Sequence, residues 1–164
     1  KPRVAVLCLS RHVVPWQIEP QPGQIRDSNG PLLTVQVGQD GGLPVAIETV
    51  AGEGPVLTTA ARLLEMADIL IMTGGTYAQG RHEARQVMED LGAELIYWDI
   101  PIQPGSHTGA GILDCRLLFA LSGNPAACGP GAARSPGCCT AVGRASCGWE
   151  VRPGAPGCKG DWGP

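Results

Sequence analysis

Four short segments of this chain carry residue types that bind charged ligands. Asp27-Ser28-Asn29 sets a carboxylate, a hydroxyl and an amide ahead of Gly30-Pro31, a helix-starting pattern whose free N–H groups favour an anion. Thr73-Gly74-Gly75-Thr76, running on to Gly80, follows an apolar run; its glycines let backbone approach a ligand and supply N–H donors. Gln103-Pro104-Gly105-Ser106-His107-Thr108-Gly109 is a polar turn between strands, and Ser122-Gly123-Asn124-Pro125 follows another apolar run and opens what should be a helix. Each alone also reads as an ordinary cap, tight turn or solvated loop. No Gly-x-x-x-x-Gly-Lys phosphate loop occurs. His12, His82 and His107 fall in loops or at a helix start and are expected to be solvated. Trp16 is expected to pack on neighbouring prolines, and Met66, Met72 and Met88 to be core.

The elements that must position these segments alternate. Val4–Leu9 is a continuous apolar run, as a strand covered on both faces would be. A Pro-rich loop leads to the Asp27 segment and a first helix supported by Leu32, Leu33, Val35 and Val37, ended by Asp40-Gly41-Gly42. Val45–Val50 is a second strand, and residues 58–66 form a second helix with Leu57, Ala61 and Leu64 on one face. Residues 68–73 form a third strand. His82–Leu91 is a third helix, Glu94–Trp98 a strand, and Gly111–Cys115 with Leu117–Leu121 a hairpin. Strands alternating with helices of about ten residues argue right-handed βαβ units, hence an α/β sandwich whose mostly parallel sheet has helices on both faces. Ligands of such sheets bind beyond the carboxyl ends of the strands, which is where all four segments fall.

The 164 residues suffice for one ordinary domain, and a net charge of −3 gives no cationic footprint for nucleic acid. No apolar run approaches the ~18 residues of a membrane span, so a cytoplasmic protein is expected, and the chain reads as an excised domain. The seven cysteines never form Cys-x-x-Cys, which argues for thiols over a zinc site or a disulfide framework. Composition breaks near Pro125: residues 126–164 lack Leu, Ile, Met and Phe and hold five of the seven cysteines. Such a segment buries too little to offset its chain entropy. The expected division is thus a domain over 1–125 and an unstructured, or even out-of-frame, tail over 126–164. A sheet face left underfilled near Leu118 and Leu121 would favour a homo-oligomer.

Taken together and in order, the four segments resemble the molybdopterin-binding domain of molybdenum cofactor biosynthesis, as in the third domain of molybdopterin molybdenumtransferase and the gephyrin E domain. The resemblance covers about residues 3–125. It implies a three-layer α/β/α sandwich and a pterin or nucleotide ligand, molybdopterin or its adenylylated form. It also implies a reaction that inserts molybdate with Mg²⁺ and releases AMP. Carried over by position, Asp27 and Glu83 would be the catalytic and metal-binding acids. Ser28, Asn29, Thr73, Gly74, Gly75, Thr76 and Gly80 would bind ligand, as would Pro104, Gly105, Thr108 and Ser122-Gly123-Asn124-Pro125.

Three positions depart from the family pattern. Leu9-Ser10-Arg11-His12 stands where Thr-Gly-Asp-Glu is usual, and Gly80-Arg81-His82-Glu83 where Gly-Asp-Tyr-Asp is usual. Gln103-Pro104-Gly105-Ser106 replaces Lys-Pro-Gly-Lys. With those acids and lysines gone, the competing expectation is a non-catalytic pterin- or nucleotide-binding module, a sensor or an assembly platform. A third reading, a competence-damage-like nucleotide hydrolase, lacks its Pro-Thr-x-Asp-Asp after Gly80.

Overall fold

The computed structural model describes residues 1–50, 55–75, 83–100 and 106–128. Thr76, Gly80, Pro104 and Gly105 lie outside them, as do Arg81, His82 and the segment from 129 onward.

Among the described residues, eight strands and three helices follow one another as β1 (Arg3–Leu9), β2 (Val13–Val14), β3 (Ile25–Arg26), α1 (Asn29–Gln39), β4 (Leu43–Val50), α2 (Val56–Met66), β5 (Ile69–Gly74), α3 (Glu83–Asp90), β6 (Glu94–Trp98), β7 (Gly109–Leu113) and β8 (Arg116–Leu121). Six strands make one sheet in the order β4-β1-β5-β8-β7-β6. β4, β1, β5 and β8 are mutually parallel, whereas β7 runs antiparallel to both β8 and β6. The parallel strands, β6 and the start of β7 therefore bring their loops to one end of the sheet. Two residues each, β2 and β3 pair separately; no apolar periodicity marks so short a ladder.

The apolar runs of β1 and β5 are buried from Val4 to Leu9 and from Ile69 to Gly74 because helices cover both faces. Val4, Val6, Cys8, Ile69, Ile71, Phe119 and Leu121 pack with Leu33 and Val37 of α1. Ala5, Leu7, Leu9, Leu70, Met72 and Leu118 face Ala60, Leu63 and Leu64 of α2 and Ala84, Val87 and Met88 of α3. The three-layer α/β/α sandwich follows. Leu118 and Leu121, three residues apart on one strand, point to opposite faces and are both fully buried, so no underfilled face lies there.

Several local expectations shift. Of the four apolar residues in α1 only Leu33 and Val37, at i and i+4, meet the sheet; Leu32 and Val35 are exposed. The buried stripe of α2 is Ala60, Leu63 and Leu64, whereas Leu57 and Ala61 face outward and Met66 is partly exposed. In the β7–β8 hairpin Leu113 pairs with Arg116, and Asp114 and Cys115 turn the chain with φ of 44° and 67°. That is the doubly left-handed two-residue turn which matches strand twist, and it places Cys115 in the turn rather than in a strand. Cys8 and Cys128 are free and buried, but Cys115 is disulfide-bonded, against the expectation of thiols throughout. Residues 125–128 form a helical turn whose Cys128 is fully buried in the α1-side core. Among the described residues no helix is long and apolar enough to cross a membrane.

Candidate functional site

A cleft of about 840 Å³ opens at the carboxyl end of the sheet. Residues 8–13, from the end of β1 to the start of β2, and Ile25 of β3 form one wall. Asp27 and Asn29 contribute from the start of α1, Thr73–Gly75 from the end of β5, and Ser122–Asn124 from the end of β8. Glu83 lines it from the first turn of α3 and His107 from the approach to β7. Nine of the residues singled out from sequence thus share one cavity: Asp27, Asn29, Thr73, Gly74, Gly75, Glu83, Ser122, Gly123 and Asn124. Ser28 and Pro125 are exposed beside it and do not line it, and Thr108 is buried, with no hydrogen-bond partner for its hydroxyl.

Asn29 ties three of these loops together. Its Nδ2 donates to Thr73 Oγ1 at 2.9 Å and to the Gly123 carbonyl at 3.0 Å. Thr73 Oγ1 in turn donates to the Ser122 carbonyl at 3.1 Å. Because the Gly123 carbonyl only accepts, the amide orientation of Asn29 is fixed, and its Oδ1 is left buried without a partner. Asn124 then starts the final turn, its Oδ1 accepting from the Ala126 N–H at 3.0 Å.

Asp27, 5% exposed, covers the first free N–H groups of α1: its Oδ1 accepts from Asn29 N–H at 3.0 Å and Gly30 N–H at 3.1 Å. Ser28, at the cap position itself, makes no side-chain bond, so the capping expected of this segment falls to Asp27. The second oxygen, Oδ2, accepts from the Cys8 thiol at 2.9 Å. Burial, then that bond to a carboxylate, pushes the Cys8 thiol well above its usual range, so it remains a protonated donor. Burial likewise raises Cys128, whose Sγ lies 3.6 Å from Thr73 Oγ1.

Glycine is required where loops touch. Gly74 has φ +84°, and a Cβ there would stand 2.1 Å from the Leu9 carbonyl oxygen; one on Gly123 would stand 3.0 Å from Gly74 Cα. Backbone here packs on backbone. A Cβ on Gly30 would meet Asp27 Oδ2 at 2.4 Å, so Gly30 lets the carboxylate fold over the helix start.

Cys8, Ser10, Arg11, His12, Val13 and Ile25 line the cleft without having been singled out as ligand-binding. Their signal was present but weak, because position immediately after a parallel strand is itself informative. His12 and His107, expected to be solvated, share this cleft, whereas Trp16 is half exposed and lies outside it.

The two acids carried over as metal ligands both line the cleft, from different elements: Asp27 just ahead of α1 and Glu83 in the first turn of α3. Asp27 bonds Cys8, which packs on the α1 face of β1, whereas Glu83 sits beside Gly75 and Leu9 on the α3 face. Among the described residues no group of three His, Cys, Asp or Glu side chains could hold a metal ion.

A family model described as a probable molybdopterin binding domain matches residues 5–134. The molybdopterin molybdenumtransferase of Staphylococcus epidermidis is 30% identical over 130 residues, which is 78% of this chain and 31% of that protein. The match therefore spans about a third of that relative's length. A molybdopterin biosynthesis MoeA protein from Pyrococcus horikoshii superposes with a TM-score of 0.66 at 27% identity, covering 78% of this chain and 32% of its own. The molybdopterin biosynthesis enzyme MoaB from Thermus thermophilus, at 18% identity, shares the fold with a TM-score of 0.63 over 88% of this chain and 98% of its own.

Proposed function

The chain belongs to the molybdopterin-binding domain family, and from that membership we propose that it holds a phosphate-bearing pterin, molybdopterin or its adenylylated form, in the cleft at the carboxyl end of the sheet. One observation carries the reading: Asn29 binds the ends of β5 and β8 to the start of α1, so three separate loops form one preorganised cavity. Its walls suit such a ligand. The backbone lining it at Gly74–Gly75 and Ser122–Asn124 offers polar groups for a phosphate, and the volume suits a small organic molecule.

The Mg²⁺ that the family's reaction uses does not fit the donors present. Asp27 Oδ1 already accepts two N–H groups and Oδ2 a thiol, and Glu83 comes from another element, the first turn of α3. Mg²⁺ requires octahedral oxygen ligands, commonly one or two carboxylates with water and phosphate. The proposed role is therefore to bind and orient the pterin within molybdenum cofactor biosynthesis, without molybdate insertion by this chain's own residues.

Amide chemical shifts of the labelled protein, titrated with AMP as the probe, test the reading. Gly74, Gly75, Gly123 and Asn124 are expected to move while residues around Arg3 and Asp68 stay still. Saturable shifts confined elsewhere, or none at all, would place the ligand site outside this cleft.

A further inference from the structure

Resting on the reading that the cleft holds a phosphate-bearing ligand, we propose that the apolar face shared by Val13 and Ile25 seats that ligand's planar heteroaromatic ring. β2 and β3 run parallel with Val13 opposite Ile25 and Val14 opposite Arg26. Paired residues of a ladder share a face and successive ones alternate, so Val13 and Ile25 stand side by side, and both line the cleft. On the opposite face Val14 is buried and Arg26 pairs with Glu19. Ile25 is 62% exposed, the one large hydrophobe left open to water among the described residues lining the cleft.

A ladder of two residues has little stability of its own, yet this one is bonded at both ends. Ile25 N–H donates to the His12 carbonyl at 2.8 Å, and Asp27 N–H to the Val14 carbonyl at 2.8 Å. Asp27 is itself held over the start of α1 by the Asn29 and Gly30 N–H groups, so the Val13–Ile25 face belongs to the same framework through which Asn29 joins the β5 and β8 loops. Apolar surface left exposed inside a cavity is stabilised when a ligand covers it. Purine and pterin share the chemistry that fits: a flat bicycle whose faces pack on branched aliphatic groups. The polar backbone of Gly74–Gly75 and Ser122–Asn124 lines the same cavity and is left to the phosphate.

Nuclear Overhauser contacts between the Ile25 methyls and ring protons, read on the whole chain with saturating AMP and separately with 6-hydroxymethylpterin, decide the matter. Contact with adenine or with the pterin supports the proposal and tells which ring the face takes. Ile25→Ser keeps the backbone bonds of the ladder. It is expected to weaken the ring compound that makes the contact by about fivefold or more, and ribose 5-phosphate, which has no heteroaromatic ring, by less than about twofold. Ile25→Leu should restore most of the loss. The ring seat is overturned if neither ring contacts the Ile25 methyls, if Ile25→Ser binds the ring compound like the parent, or if it loses ribose 5-phosphate by the same factor. In each of those cases ligand-induced shifts at Gly74 and Asn124 of the parent would leave the cleft reading standing. If neither AMP nor the pterin moves those amides or the Ile25 methyls, both readings fall.

Discussion

Two aspartates close opposite ends of one sheet by opposite means. Asp68, at the amino end, takes three hydrogen bonds from Arg3: the backbone N–H at 2.8 Å, Nη2 at 2.7 Å and Nε at 3.2 Å. Its own N–H donates to the Arg3 carbonyl and its carbonyl accepts from Leu117 N–H, so one residue locks β1, β5 and β8 with a cation supplied. Asp27, at the carboxyl end, has its carboxylate held by two backbone N–H groups and a thiol, while its own N–H donates to the Val14 carbonyl. The amino end is complete in itself and half exposed to water. The carboxyl end spends neutral donors and glycines on keeping loops apart around a cavity, which is the arrangement a ligand can use.

Backbone substitutions should break the comparison most. Gly74 and Gly92 both have positive φ, at +84° and +80°, but a Cβ on Gly74 meets the Leu9 carbonyl at 2.1 Å whereas one on Gly92 meets nothing within 4 Å. Gly92 merely closes the C-terminus of α3, ahead of β6. Gly92→Ala is expected to cost ~1 kcal/mol of left-handed strain. Gly74→Ala adds a clash with backbone that cannot move without parting β1 from β5, and should cost more than about 3 kcal/mol. Urea unfolding of the two variants checks the difference; equal midpoints would mean the carboxyl-end loops are not packed as described.

Asn29→Ala comes next. It removes the donor to Thr73 and to the Gly123 carbonyl, both at buried or half-buried positions, and should destabilise by about 2–3 kcal/mol. Its effect on ligand should exceed its effect on folding, because the three loops lose their common tie. AMP affinity measured on the still-folded fraction separates the two, and affinity unchanged in a destabilised variant would reduce Asn29 to a structural residue.

The difference between the two ends also explains what the sequence revealed. Val4–Leu9 and the run at 69–73 are so uniformly apolar that only burial between two helical layers accommodates them, and the sandwich is legible from them directly. The loops Asp27–Asn29, Thr73–Gly75 and Ser122–Asn124 were legible as candidates because each follows a strand and carries Gly, Thr, Ser or Asn. Their joining was not, since nothing in the letters tells that Asn29 reaches Gly123, 94 residues away. Cys8 was hidden for another reason: inside an apolar strand a cysteine reads as a hydrophobe, and only the fold brings Asp27 within reach of its thiol.

Alkaline pH separates the ends without ligand. Burial raises both Cys8 and Cys128, the former also through Asp27, so the folded chain keeps two protons that the unfolded chain releases above about pH 8.5. Their stabilisation is complete below that value and is lost as pH rises beyond it, by up to ~1.4 kcal/mol per pH unit for each thiol. Cys8→Ser retains a donor for Asp27 but no thiol proton, and should lessen the slope by about that amount. Stability measured in urea between neutral pH and about pH 10 reads it, and a slope unchanged by Cys8→Ser would show that this thiol titrates alike in both states.

Acid is the milder test, and it acts on the amino end. Burial alone would push the Asp68 carboxyl up, but the hydrogen bonds and charge of Arg3, aided by Arg116, reverse this and hold it below the usual carboxylate value. A carboxyl depressed in the folded state contributes stability that is present above the unfolded value near 3.9 and disappears as pH falls through the folded one. Arg3 is 49% exposed, so solvent screens the pair and the contribution should not exceed ~1 kcal/mol. Asp68→Asn should therefore lower stability modestly at neutral pH and by progressively less below about pH 4, where parent and variant converge. The same change should leave AMP binding untouched, because Asp68 lies at the far end of every strand that borders the cleft. Loss of AMP affinity in Asp68→Asn, at a pH where the variant is fully folded, would show that the two ends are coupled through the sheet and that the closed amino end takes part in holding the ligand.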